Sequence, residues 1–199
     1  RMSFLRQRLE AGMEKLVLQG ATRITCVTDV AAQVMAEKVG RPVHVIPNGF
    51  DASGVSVASQ QETSGRFRFV HAGSFSDSHP ERSPDTLVEA ALAIPEDVDF
   101  QVTFVGQLTE EEIGKVRPLV DAGRAELVGV VSRDEALKWQ TEADALIVVD
   151  HPRDVLASNV PGKVYEYGAS GKPILAITPR GATDRLIART GAGLTVRHD

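Results

Sequence analysis

Apolar residues fall at steps of three and four through the opening stretch: Met2, Leu5, Leu9, Met13 and Leu16. That spacing predicts one face of a helix running from Arg1 to Gly20. The opposite face carries Arg6, Arg8, Glu10 and Lys15. Glu10 and Glu14 dilute its positive charge, which favours a packed helix over one lying on a membrane. Beyond it the pattern changes to short apolar runs alternating with helical ones. Strands are predicted over Ile24–Thr28, Val43–Pro47, Arg68–Gly73, Phe100–Gly106, Ala125–Val130, Ala145–Val149, Pro173–Ile177 and Gly193–Val196. Helices are predicted to begin near Asp29, Pro84, Glu110, Arg133, Pro161 and Ala182. Ser83 before Pro84 reads as an N-cap followed by a proline at the first helical position. Thr109 with Glu112, and Ser132 with Glu135, read as capping boxes. Strands made of unbroken Val, Ile and Phe runs are buried on both faces. The expected fold class is therefore α/β, a doubly wound Rossmann-like parallel sheet with helices on both sides.

One interruption divides the chain. Val43–Asp51 reads VHVIPNGFD, a strand ending in a Pro-Asn-Gly turn. Asp51 to Gly65 is then rich in Ser, Gln and Gly and has no periodicity, as a linker would. The expected division is residues 1–50 as the end of one domain, 51–65 as linker and 66–199 as most of a second domain, incomplete at its C-terminus. The chain opens on Arg1 and is read as a piece of a longer protein.

Composition narrows the classes. The 199 residues are 42% hydrophobic and 25% charged, ordinary for a folded domain and unlike a disordered chain. No apolar run approaches the ~20 residues of a spanning helix, and no secretory leader is read at the start. Cys26 alone cannot form an internal disulfide or a multi-cysteine metal site, which suits a reducing, cytoplasmic setting. A net charge of −5 and a pI near 5.6 argue against nucleic acid as a partner.

In an open parallel sheet, ligands bind beyond the carboxyl ends of the strands, so the loops after each strand carry the candidate chemistry. After Arg68–Gly73 come Ser74 and Phe75, then Arg82 just before a helix. The small residues Gly73 and Ser74 admit a ligand to the backbone, and Arg82 offers a forked donor to a phosphate. A solvent loop with a surface arginine is the other reading of that segment. A dinucleotide G-x-G-x-x-G fingerprint is absent, which weighs against NAD or FAD. The most specific stretch is Asn159–Pro173, NVPGKVYEYGASGKP. Pro161 sets a helix start, Gly162 removes a side chain, Lys163 lies in the first turn and Glu166 one turn later. A cation in a first turn opposes the helix dipole unless an anion sits there. As structure alone, the stretch is a short helix that Gly171 ends.

The same stretch resembles the donor-binding segment of GT-B-fold glycosyltransferases of the family 4 (group 1) type. The likeness runs in order through VHVIPNGFD, RFVHAGSF, VTFVG, VPGKVYEYGASGKPILAI and GAGLTV, over about residues 20–197. It implies that residues 1–50 end an acceptor-binding domain whose larger part lies outside the chain. It also implies that the rest binds a nucleotide-diphosphate sugar such as a UDP-sugar, with transfer to an acceptor and retention at the anomeric carbon. The family carries two glutamates in this segment. The one that holds the ribose falls on Glu166, and the one that contacts the sugar falls on Ser158. Ser74 stands where many members have an arginine for the diphosphate. Arg82, Lys163 and the amides of Gly162, Lys163 and Val164 are then the smallest set able to neutralise a departing diphosphate. Backbone around Val130 and Val131 would read the base, and His151 ends a strand on the ligand side. The resemblance allows the whole protein a peripheral contact with the inner face of the membrane through the absent domain.

No cofactor and no metal are expected. Asp97-Val98-Asp99 is a D-x-D string, but it precedes a strand and so falls at the amino edge of the sheet. His44, His71, His79, His151 and His198 show no pair at ligand spacing. Two other functions stay open: a nucleotide-sugar epimerase on the same fold, with His151 as its acid–base candidate, and a non-catalytic nucleotide-binding module, suggested by Ser74 and Ser158.

Overall fold

A computed structural model describes residues 4–50, 65–77 and 79–198. The chain forms two compact units, Arg1–Asn48 and Gly49–Asp199. The expected linker, residues 51–65, lies outside the described residues except for Gly65.

The first unit holds α1 (Phe4–Gly20), β1 (Thr25–Cys26), α2 (Asp29–Val39) and β2 (His44–Val45). β1 and β2 pair in parallel, Thr25 with His44 and Cys26 with Val45. Both are shorter than their apolar runs predict, and among the described residues each pairs only with the other. Thr28 caps α2 by accepting from the Ala31 amide, and Gly40 ends it in the left-handed region at φ 67°. Arg41 crosses to the end of α1 and donates to the Leu18 and Ala21 carbonyls, both at 2.6 Å. Leu9, Met13 and Leu16 are exposed: one helix and two dipeptide strands are too little to cover the apolar face of α1. Cys26 is half-buried, less enclosed than an apolar strand suggests.

The second unit is a six-stranded parallel sheet in the order β5-β4-β3-β6-β7-β8. Its strands are β3 (Phe67–Ala72), β4 (Phe100–Val105), β5 (Ala125–Gly129), β6 (Ala145–Val149), β7 (Ile174–Ile177) and β8 (Gly193–Val196). Its helices are α3 (Asp85–Ala93), α4 (Glu110–Asp121), α5 (Arg133–Glu142), α6 (Gly162–Ser170) and α7 (Ala182–Thr190). All five residues of β6 are buried, as a central strand covered on both faces requires. β8, at the edge, alternates half-buried and exposed positions. The core gathers Phe75, Leu87, Val88, Phe100, Val102, Phe104, Val116, Leu119, Ile147 and Ile177. Both predicted capping boxes form, Thr109 with Glu112 and Ser132 with Glu135. α3 begins one residue later than predicted. The Pro84 carbonyl takes the first helical bond from Val88, so proline is the cap residue, while the Ser83 hydroxyl accepts from the Asp85 amide at 3.4 Å and from Lys115 Nζ at 3.1 Å. Among the described residues, no helix is long and apolar enough to cross a membrane.

The strand order reverses between β3 and β6: from β3 the chain winds outward to β4 and β5, then returns to β6 and winds the other way. Such a switch point opens a crevice beyond the carboxyl ends of the two central strands. Gly73 and Gly106 end β3 and β4 side by side, at φ 113° and 129°, and a Cβ on Gly106 would stand 2.9 Å from the Gly73 carbonyl oxygen. Gly106→Ala is expected to destabilise the chain by about 1–3 kcal/mol, from backbone strain alone, before the clash adds to it. Chemical denaturation of the two chains measures the difference, and equal midpoints would contradict the close approach.

Candidate functional site at the switch point

The site grows from the end of β3. Register between β3 and β6 covers Phe69 with Ala145 and Val70 with Leu146. Past that point, partners come from α6. The Ala72 amide donates to the Tyr167 hydroxyl at 3.0 Å, and Lys163 Nζ donates to the Ala72 carbonyl at 2.8 Å. Tyr167 is fully buried, so its hydroxyl needs that partner. Two side chains one turn apart on α6 therefore hold the helix's amino end against the last peptide of β3. Pro161 caps α6 without a side-chain bond. The Val164 amide is already committed to the Pro161 carbonyl at 3.0 Å, and its side chain is buried. Of the three first-turn amides expected to meet a ligand, this removes Val164 and leaves Gly162 and Lys163.

Gly73 lies under the Lys163 ammonium, which would be 3.0 Å from a Cβ there. Burial, and then the charge of Arg82, lower the Lys163 pKa to about 8, against a smaller opposing pull from Glu166. Ser74 is half-buried beside it and Ser158 is exposed. Phe75 corrects the sequence reading. Its ring is fully buried, stacked on His71 at 4.3 Å and 10° between planes, so it anchors the loop from below and does not face a ligand. His71 is itself buried. Burial, then the charge of Lys163, hold its pKa well below the ordinary value, while the Ile147 carbonyl, 3.2 Å from Nδ1, pulls the other way. Ser76 fastens the loop's far side: its amide and hydroxyl both donate to Glu112 Oε1, at 2.8 and 2.6 Å. Burial would raise the Glu112 pKa, but these bonds and those from Thr109 outweigh it and leave it lowered.

Arg82 and His151 lie beyond the ends of β3 and β6. Arg82 is buried and paired with the wholly buried Asp150, Nη2 to Oδ1 at 3.3 Å. Asp150 also accepts from Arg153 Nη2 at 3.2 Å and from the His151 amide at 2.9 Å. Arg82 is therefore committed to a buried ion pair, which the sequence read as a free phosphate donor. Its Nε, and that of Arg153, are buried without a hydrogen-bond partner. His151 stacks on His79 with centroids 3.5 Å apart and planes 4° from parallel. Burial first, and then the charge of Arg153, lower the His151 pKa, although Asp150 pulls it up. The two histidines are far apart in sequence, and no spacing rule brings them together.

Glu166 leaves α6 on the side of α5. Its carboxylate accepts from Gln140 Nε2 at 2.8 Å and lies 3.9 Å from Arg133 Nη2. Arg133 opens α5 directly after the loop holding the exposed Val130 and the half-buried Val131. The fold thus brings Glu166 next to the loop expected to read a base, a contact that needs Gln140 and Arg133, neither of which the motif names. Asp99 of the D-x-D string pairs with Arg66 at 2.7 Å beside the start of β4, at the opposite edge of the sheet.

Lys163 yields a stability test. Its folded pKa is lowered, so the unfolded chain binds the proton more tightly between about pH 8 and ~10.4. Stability gains from this residue as pH rises through that window, and the cost of its buried charge is fully present below it. Melting temperatures of the wild type relative to Lys163→Met should therefore climb between pH 7 and 10. Parallel curves would contradict the burial of the ammonium.

No protein-family model matches the sequence, and no curated protein matches it. Solved structures do. WaaG, a glycosyltransferase involved in lipopolysaccharide biosynthesis, is 17% identical with a TM-score of 0.67, over 99% of this chain and 57% of its own. The Anabaena protein HepE, in complex with UDP and glucose, is 18% identical with a TM-score of 0.63, over 98% and 54%. Sucrose-phosphate synthase from Thermosynechococcus elongatus is 17% identical with a TM-score of 0.70, over 100% and 51%. The chain spans about half the length of these structures. Over that half, this chain shares with them the Rossmann-like α/β fold of GT-B domains.

Proposed function

We propose that this chain carries the nucleotide-sugar-binding half of a glycosyltransferase, which in the whole protein transfers the sugar to an acceptor with retention. The observation that carries the proposal is the amino end of α6, held by Lys163 and Tyr167 against the Ala72 peptide at the switch point, beside Gly73. A helix amino end with a cation in its first turn is a diphosphate site in want of its anion. The UDP and glucose in the HepE structure support a nucleoside diphosphate as the ligand class.

Breaking the bond from sugar to phosphate leaves negative charge on the diphosphate and positive charge on the ring. A helix dipole contributes only about 0.3–1 kcal/mol, whereas one well-aimed donor shielded from water contributes ~3–4 kcal/mol. The Lys163 ammonium and the Gly162 and Lys163 amides are therefore the groups that take up the leaving charge. Arg82 acts at one remove: its charge depresses the Lys163 pKa, so an arriving diphosphate is met by a lysine eager for a counterion. Glu166, turned toward the loop after β5, accepts from the ribose hydroxyls, each such bond contributing ~1.5–3 kcal/mol. The base then lies over Val130 and Val131. No step in this scheme needs a metal ion.

One observation favours a second reading. Ser158, exposed where the family has a sugar-contacting glutamate, and Arg82, engaged with Asp150, suit a module that binds a nucleotide without turnover. Nucleotide binding by a whole protein that releases no product would select it. His151 offers an epimerase little, since its ring is stacked on His79 and tied to Asp150 and Arg153.

Calorimetric titration of UDP, GDP and ADP into the chain tests the proposal. One of them should bind, and Glu166→Ala should weaken it at least ~tenfold, which is about 1.4 kcal/mol. An unchanged constant removes Glu166 from the site. Binding should also persist in excess EDTA, and its loss there would make the site metal-dependent.

A further inference from the structure

The loops after β3 and β6 carry a cluster that the nucleotide site leaves unused. His79 and Glu81 come from the first loop and His151 from the second. One ligand atom of each lies within 4.8 Å of the other two. The two imidazoles stack face to face, with centroids 3.5 Å apart. Sequence spacing gave no sign of this, because the residues meet only through the adjacency of β3 and β6.

We propose that His79, Glu81 and His151 form a binding site for a divalent transition-metal ion of the zinc class. Two imidazole nitrogens and one carboxylate oxygen are the donor set such ions take, in preference to magnesium or calcium, which favour oxygen alone. His151 comes with the support a metal-bound histidine uses. Its Nδ1 lies between Arg153 Nη2, at 3.0 Å, and Asp150 Oδ1, at 3.1 Å, so that edge of the ring is held by protein groups and Nε2 is the nitrogen left for the ion. Asp150 is in turn fixed by Arg82 and Arg153. The His79 ring is steered by a long bond from the Glu81 amide to its Nδ1, 3.3 Å, the weakest tie in the cluster. The lone pairs of the stacked rings lie in parallel planes, so the half-buried His79 ring must turn well out of the stack for its nitrogen to meet an ion held by His151 at ~2.0–2.1 Å. Three protein ligands leave a coordination position open to water or to an oxygen anion. An ion here would pin the loop after β3 to the loop after β6, across the mouth of the crevice.

The test uses cobalt(II) alone with the nucleotide-free 199-residue chain, so failure of the nucleotide site leaves it unaffected. Calorimetry should show about one equivalent bound, with the ligand-field absorption bands of a four- or five-coordinate ion. His79→Ala and His151→Ala should each weaken binding at least ~tenfold, and Glu81→Gln should weaken it less. Melting curves without the ion identify any variant that fails to fold. Histidine ring nitrogen resonances of the wild type give a reading that needs no variant: His79 and His151 should shift when zinc(II) is added. Equal binding by the wild type and the folded double variant His79→Ala/His151→Ala, or shifts confined to the other histidines, would overturn the proposal.

Discussion

Past Val70 the register between β3 and β6 has ended, and the Ala72 peptide must find partners elsewhere or remain unsatisfied. α6 supplies both, a phenol oxygen for the amide and an ammonium for the carbonyl. The rest of the crevice follows from that exchange. It fixes the amino end of α6 above Gly73, directs Glu166 toward α5 and keeps Lys163 where burial and Arg82 depress its pKa. A peptide left open in a half-buried place costs ~1–3 kcal/mol, enough to make the docking of α6 a condition of the fold.

Charge around the crevice is arranged in layers. Asp150 lies deepest and collects Arg82, Arg153 and the His151 amide. Lys163 stands nearer the surface and feels the Arg82 charge without a carboxylate of its own in contact. A buried ion pair of the Arg82–Asp150 kind adds little net stability but resists the loss of either partner. Its value here is positional, since it joins the loop before α3 to the end of β6.

Much of the architecture was legible because local signals agreed. Thr109 with Glu112 and Ser132 with Glu135 announce their helices, and the Val-Ile run of β6 announces a strand covered on both faces. The helix carrying Lys163 and Glu166 was legible for the same reason, being set by neighbours in sequence. What escaped was contact between distant residues. Phe75 follows two small residues in a ligand-side loop and reads as a donor-binding residue, yet its ring is buried against His71. Arg82 reads as a free cation because Asp150 is far away in sequence, and the His79–His151 stack is silent for the same reason. In the first unit, apolar runs predicted five-residue strands where pairing sustains only two residues in each.

Glu112 serves two masters. One carboxylate oxygen takes the amide and hydroxyl of Ser76, and the other takes the amide of Thr109 at the start of α4. An outward swing of the loop after β3 would strip one oxygen of this carboxylate of both its Ser76 donors while the other stays on the cap of α4. Mobility at the crevice rim is thermodynamically linked to fraying of a helix on the neighbouring strand's connection, and acid that neutralises Glu112 loosens both together.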